Sequence, residues 1–117
     1  MLGIDILEVE RIEKQISNEN FISKVFTQNE INYVNQFKNK AEHYAGFFCA
    51  KESVMKALED CKQMSMTEIE VNHKPNGKPY VKLFGKALEV FEKTNFKTIE
   101  ISISQTKTYA TAVAMLV

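Results

Sequence analysis

Two carboxylates and two lysines in this chain are of the types that handle a phosphate. Asp5 lies in the apolar N-terminal run LGIDIL, residues 2–7; Lys51, Glu52 and Lys56 lie in FFCAKESVMKAL, residues 47–58. At roughly 100° per residue, a wheel with Phe48 at zero gathers Leu58, Phe47, Val54, Tyr44 and Met55 into one arc. Lys51 falls inside that arc and Glu52 at its edge. Charged groups rarely enter a core unless they are paired. If the N-terminal segment packs beside this helix, Asp5 and Glu52 converge. Two carboxylates underfill an octahedral cation site, and magnesium held this way takes waters and phosphate oxygens for the rest. Lys51 and Lys56 would add positive charge for those phosphates. A plainer reading stands beside this one: Glu52 and Lys56 are also an ordinary i, i+4 pair, worth a few tenths of a kcal/mol.

The elements that must position these groups are legible as patterns. Leu2, Ile4 and Ile6 alternate along a predicted strand, with Asp5 on the opposite face. Val9, Ile12 and Ile16 predict a helix over about 8–17. Phe21, Ile22, Val25 and Phe26 form a short apolar helical turn. Thr27 with Glu30 makes a capping box for a helix through about Phe37. A lysine-rich loop leads into the long helix, about 41–60. A strand near 68–73 enters HKPNGKP, where Asn76-Gly77 is the strongest hairpin signal in the chain. Residues 80–84 return as a strand, and a helix over 86–94 buries Leu88 and Phe91. Ile99, Ile101 and Ile103 alternate through 98–104. A last strand, 109–117, carries Ala110, Ala112 and Ala114 on one thin face that lets a helix approach closely. The order predicts one α+β domain with a mostly antiparallel sheet packed with one long helix and shorter ones. There is no GxGxxG, P-loop or GxSxG.

Composition narrows the partners. The chain has 117 residues, 44% apolar and 26% charged, with 15 basic residues against 15 acidic. Zero formal charge argues against nucleic-acid binding by bulk electrostatics. No apolar run approaches the ~20 residues that span a bilayer, and MLGIDILEVER lacks a basic signal-peptide n-region. The expectation is a cytoplasmic protein with no membrane partner. Cys49 and Cys61 form no CxxC pair and read as reduced thiols, Cys49 as a small core residue. His43 and His73 have no ligand-type spacing, so no zinc site is expected.

GIDILEVERI, AGFFCAKESVMKAL, PNGKPYV and ISISQTKTYATAVAM occur in this order over nearly the whole chain. Together they resemble the holo-acyl-carrier-protein synthases, small bacterial members of the 4′-phosphopantetheinyl transferase superfamily. The resemblance implies that fold and an activity in fatty acid biosynthesis. Phosphopantetheine would pass from coenzyme A to a serine of apo acyl carrier protein, leaving adenosine 3′,5′-bisphosphate. The runner-up reading is a non-catalytic coenzyme A or nucleotide-binding protein of the same fold. The resemblance also implies a magnesium ion on Asp5, Glu52 and the coenzyme's pyrophosphate, and Lys56 against the phosphate under attack. The serine proton would pass to a metal-polarised water or to Glu52.

The same resemblance implies a homotrimer with each coenzyme between two subunits. Asn76, Gly77, Lys78 and Pro79 would meet the adenosine end of the neighbour's coenzyme. Ser104, Gln105 and Thr106 would lie near the phosphates, although Thr106 also suits plain turn chemistry. Lys51 and Phe48 complete the expected coenzyme contacts. Gln105 stands where the family commonly has histidine, which removes a titrating group. Phe47 stands where an arginine often helps bind the 3′-phosphate, and Lys38 or Lys40 would compensate. Arg11 and Lys14, at i, i+3, match the family's basic docking residues for the carrier protein, among the acidic Glu8, Glu10 and Glu13.

Overall fold

The long helix packs on its sheet through a surface of small residues. The computed structural model describes residues 1–59 and 63–117. In chain order the elements are β1 (Leu2–Glu8), α1 (Val9–Glu13), α2 (Glu19–Val25), α3 (Gln28–Val34), α4 (Lys40–Leu58), a 3-10 turn (Met66–Glu68), β2 (Ile69–His73), β3 (Pro79–Leu83), α5 (Gly85–Glu92), β4 (Ile99–Gln105) and β5 (Tyr109–Leu116). The strands form two antiparallel sheets, β1-β5-β4 and β2-β3. Ala110, Ala112 and Ala114 are buried on the inner face of β5, with Ile101 beside Ala114 in register. Gly3 does the same in β1: a Cβ there would collide with the Ser53 carbonyl oxygen. The helix therefore lies almost backbone-to-backbone on β1. That contact selects the Gly3, Asp5 and Leu7 face of β1 as the inner one. The apolar face goes outward, leaving Leu2, Ile4 and Ile6 about two-thirds exposed at 65%, 64% and 66%.

Several boundaries differ from the sequence reading. The first helix stops at Glu13 rather than near 17, because the chain then needs an extended Asn18. The Asn18 side chain accepts from the Asn20 and Phe21 amides and caps α2. The Thr27/Glu30 box is formed, but α3 ends at Val34 and tightens into turns closed on Tyr33 and Val34. The hairpin turn is centred one residue earlier than Asn76-Gly77. The Gly77 amide donates to the Lys74 carbonyl, so Pro75 and Asn76 are the central pair and Gly77 follows at φ 90°. Proline presets the first of these positions, and glycine takes the left-handed one without a steric cost. Leu88 is exposed rather than buried: with half-buried Phe91 it lines an open groove between α5, β3 and β4. Only Ala87 of α5 is fully buried. Cys61, and the predicted helix end near residue 60, lie outside the described residues.

Candidate active site

The carboxylates meet where β1 crosses α4. Asp5 projects from the inner face of β1, and its backbone carbonyl accepts the Thr111 hydroxyl at 2.8 Å. Lys56 reaches across from α4, donating to Asp5 Oδ1 at 3.2 Å and to the Ile4 carbonyl at 2.9 Å. Glu52, one helical turn before Lys56, is half-buried on the same flank. Burial raises its pKa, and the negative charge of Asp5 raises it further against the opposing effect of Lys56. The two carboxylates thus sense each other, a repulsion that a divalent cation relieves. Cys49 lies against this corner and donates to the Ala110 carbonyl at 3.4 Å. Burial and the Asp5 carboxylate push its thiol up to about 12, so it is an inert core residue.

Among the described residues no group of three or more His, Cys, Asp and Glu side chains could hold a metal alone. The donor set is therefore two hard carboxylates. That suits magnesium completed by waters and phosphate oxygens, and does not suit a closed zinc site.

Lys51 is not part of this corner, and the expectation that it contacts a coenzyme is corrected. It is fully buried, 2.8 Å from Glu30 Oε1. It also donates to the carbonyls of Met66 at 2.9 Å and Ile69 at 2.6 Å. Three acceptors use all three ammonium donors and leave none for a ligand. Glu30 is equally saturated: Oε1 accepts the Thr27 amide and Oε2 the Val71 amide at 2.7 Å. Burial pushes the Glu30 carboxyl up and the Lys51 ammonium down, each opposed by the partner's charge. The pair ties α3, α4 and β2 together.

A second constellation gathers on the other flank of α4. Gly77 and Pro79 of the turn share a pocket of about 220 Å³ with Gln105, and neither Asp5 nor Glu52 lines it. Gly46 makes room for Gln105, whose side chain lies where a Cβ would be. Tyr33, His43, Phe47 and His73 complete the wall, none of them foreseen as a site residue. The isolated His43 and His73 carried no spacing signal, because α4 and β2 bring them together only in the fold. Asn76 braces the turn by accepting the Lys78 amide at 3.0 Å, and Lys78 pairs with Glu100 at 3.3 Å.

The remaining predicted residues scatter. Lys38 and Lys40 line a groove with Val9, Ile16 and Lys107, and neither lines the Gln105 pocket. Ser104 faces the opposite side of β4 from Gln105, level with Thr111 on the outer sheet face. The Thr106 hydroxyl accepts the Thr108 and Tyr109 amides at 3.1 and 3.0 Å, which is turn chemistry. Phe48 and Arg11 line one small pocket with Leu7 and Phe21. Lys14 is exposed and 3.6 Å from Glu10.

Comparison with known proteins agrees along the whole chain. The profile of the 4′-phosphopantetheinyl transferase superfamily matches residues 1–114. The holo-[acyl-carrier-protein] synthase of Thermoanaerobacter sp. (strain X514) is 44% identical over 118 residues, covering 99% of this chain and 86% of the relative. That of Fusobacterium nucleatum is 42% identical, covering 98% and 96%. The crystal structure of Helicobacter pylori holo-[acyl-carrier-protein] synthase in complex with coenzyme A superposes with a TM-score of 0.86 at 30% identity, covering 100% of both chains. The Bacillus anthracis synthase in complex with CoA (3′,5′-ADP) gives 0.81 at 34% identity, covering 98% and 93%.

Proposed function

This chain belongs to the 4′-phosphopantetheinyl transferase superfamily, and from that premise we propose that it is a magnesium-dependent holo-acyl-carrier-protein synthase. It transfers 4′-phosphopantetheine from coenzyme A to a serine of apo acyl carrier protein, in the service of fatty acid biosynthesis in the cytoplasm. The observation that carries the reading is the meeting of Asp5, Glu52 and Lys56 at one corner of β1 and α4. The serine oxygen forms a bond to the phosphorus that bears the pantetheine. The bridging phosphoanhydride bond breaks, and adenosine 3′,5′-bisphosphate departs with that electron pair. Magnesium, held by Asp5 and Glu52 when bound, supplies charge neutralisation on the pyrophosphate oxygens. Lys56 adds a point charge beside the phosphate under attack. Glu52, or a water beside it, would take the serine proton.

The coenzyme's two ends belong to different parts of the fold. We assign its adenosine end to the turn of residues 74–78 and to Gln105, and its pyrophosphate to the carboxylate corner. These lie on opposite flanks of α4, which supports a site completed by a second subunit. The outward face of the β1-β5-β4 sheet supports the trimer: Leu2, Ile4, Ile6, Tyr109 and Met115 are each about half to two-thirds exposed, and such contiguous patches mark association surfaces. Arg11, exposed beside Glu8 and Tyr109, with Lys14, is assigned to docking of the acidic carrier.

The test is to incubate the protein with apo carrier protein, coenzyme A and magnesium and weigh the carrier by mass spectrometry. The expected result is a gain equal to one phosphopantetheine, lost on chelation of magnesium and in Asp5→Ala and Glu52→Ala. No gain with the wild type would favour a non-catalytic coenzyme A binder. Near-normal turnover in both variants would remove the metal assignment.

A further inference from the structure

The pocket beside the turn is walled by four rings and contains no side chain of fixed charge among its lining residues. One face of each imidazole is already occupied: Phe37 stacks on His43 at 4.0 Å, and Tyr33 on His73 at 4.1 Å and 7°. Those stacks hold the rings in place, so what each can offer a ligand is its nitrogen-bearing edge. Gln105 Nε2 lies 3.4 Å from His43 Nδ1. An amide turned one way donates and the other way accepts, so Gln105 can partner Nδ1 in either protonation state and leave Nε2 for a ligand.

We infer that His43 and His73 form a titratable phosphate-recognition pair, and that this chain's preference for coenzyme A over 3′-dephospho-coenzyme A therefore rises as the pH falls. The inference rests on the adenosine end lying at this turn. The ribose of that end bears the 3′-phosphate, so the coenzyme's covalent structure brings the phosphate to the pocket.

The groups facing the pair fix the sign. Tyr33 comes from α3 and Phe37 from the turn that follows it, Phe47 from α4, Ile103 and Gln105 from β4, and Gly77 and Pro79 from the turn and β3. Glu42 is the one neighbouring charge felt by His43, and it lies on the same helix. Burial lowers the pKa of His43 against that charge; burial lowers His73, and a charged His43 lowers it further. Lys74 and Lys78 flank the turn but line the groove between β3 and β4. The free pocket is thus uncharged at pH 8. A phosphate dianion favours imidazolium, so binding takes up protons, and more of the pair is charged as the pH drops through the imidazole range. The ligand's own second pKa, about 6, works the other way. A lysine-based site would lose preference for the 3′-phosphate between pH 8 and pH 6, whereas the imidazole pair gains it.

Calorimetry on the 117-residue chain, with coenzyme A and with 3′-dephospho-coenzyme A at pH 8 and pH 6, reads this directly. The ratio of the two dissociation constants is expected to rise roughly tenfold at pH 6, the scale of one charge-assisted hydrogen bond. In the His43→Gln/His73→Gln double variant the ratio is expected not to rise at pH 6, because only the ligand's own titration remains. A wild-type ratio that is constant or falls, or a rise that survives in a folded double variant, overturns the inference. The wild-type arm decides even if that variant misfolds. Failure of both coenzymes to bind overturns the site assignment itself; binding without the pH-dependent preference overturns this inference alone.

Discussion

Removing one half of the ion pair between Lys51 and Glu30 strands the other charge where no water reaches it. Both side chains are fully buried, and each is saturated by backbone partners. Lys51→Met is therefore expected to cost about 3–5 kcal/mol, as for other buried pairs broken on one side. Glu30→Leu added to Lys51→Met should recover much of that, since apolar replacement of a whole buried pair is often close to neutral. Urea unfolding of the single and double variants checks both statements; a single variant as stable as the double would show that the charge is not stranded. The sequence placed Lys51 in the apolar arc correctly, and it placed Glu30 in its capping box. It could not show that they meet. Glu30 already had a local role that accounted for it, and the second role depends on how α3 and α4 cross.

At the scale of elements, the contact of β1 with α4 sets the geometry of the carboxylate corner. Gly3 lets the strand lie on the helix at the level of Ser53 and Ala57, one residue pair away from Asp5. A methyl group there has only backbone to displace, so Gly3→Ala must push β1 and α4 apart. The expected outcome is a loss of about 1–3 kcal/mol, typical of overpacking, together with a fall in turnover as Asp5 moves away from Glu52 and Lys56. Thermal melts and the carrier-modification assay measure the two effects; a destabilised variant with full turnover would separate the strand contact from the chemistry. Alternation and the hairpin signal recovered the five strands of the described residues, and 3.6-residue spacing the long helix, because these are local properties. It gave no reason to turn the apolar face of β1 outward: a strand with a glycine on one face and isoleucines on the other does not say which side a helix will cover. The Asp5, Glu52 and Lys56 set was legible as residue types, with the family motif supplying their order. The pocket of Tyr33, His43, Phe47 and His73 was not, since its members come from three elements with no shared spacing.

The whole molecule raises the question of where one coenzyme can bind. Phe47 and Glu52 are about 140° apart around α4. The helix body thus separates the pocket at Gln105 from the corner at Asp5, and β1 and β4 are opposite edges of their sheet. On the proposed reading a ligand that touches both takes the second constellation from another copy, and the exposed outer sheet face offers a surface for that copy. Ile4→Asp, on that face, is expected to give a monomer by light scattering and to abolish carrier modification, although Ile4 touches no substrate in this arrangement. Complementation is the sharper test. Glu52→Ala removes the carboxylate half of the site, and a turn variant such as Asn76→Ala/Lys78→Ala weakens the adenosine half. If each site takes one half from each of two neighbouring subunits, random assortment of unfolded and refolded mixtures restores about a quarter of wild-type turnover. If one subunit supplies both halves, every site in the mixture carries one defect. Turnover then stays at the average of the two variants measured alone.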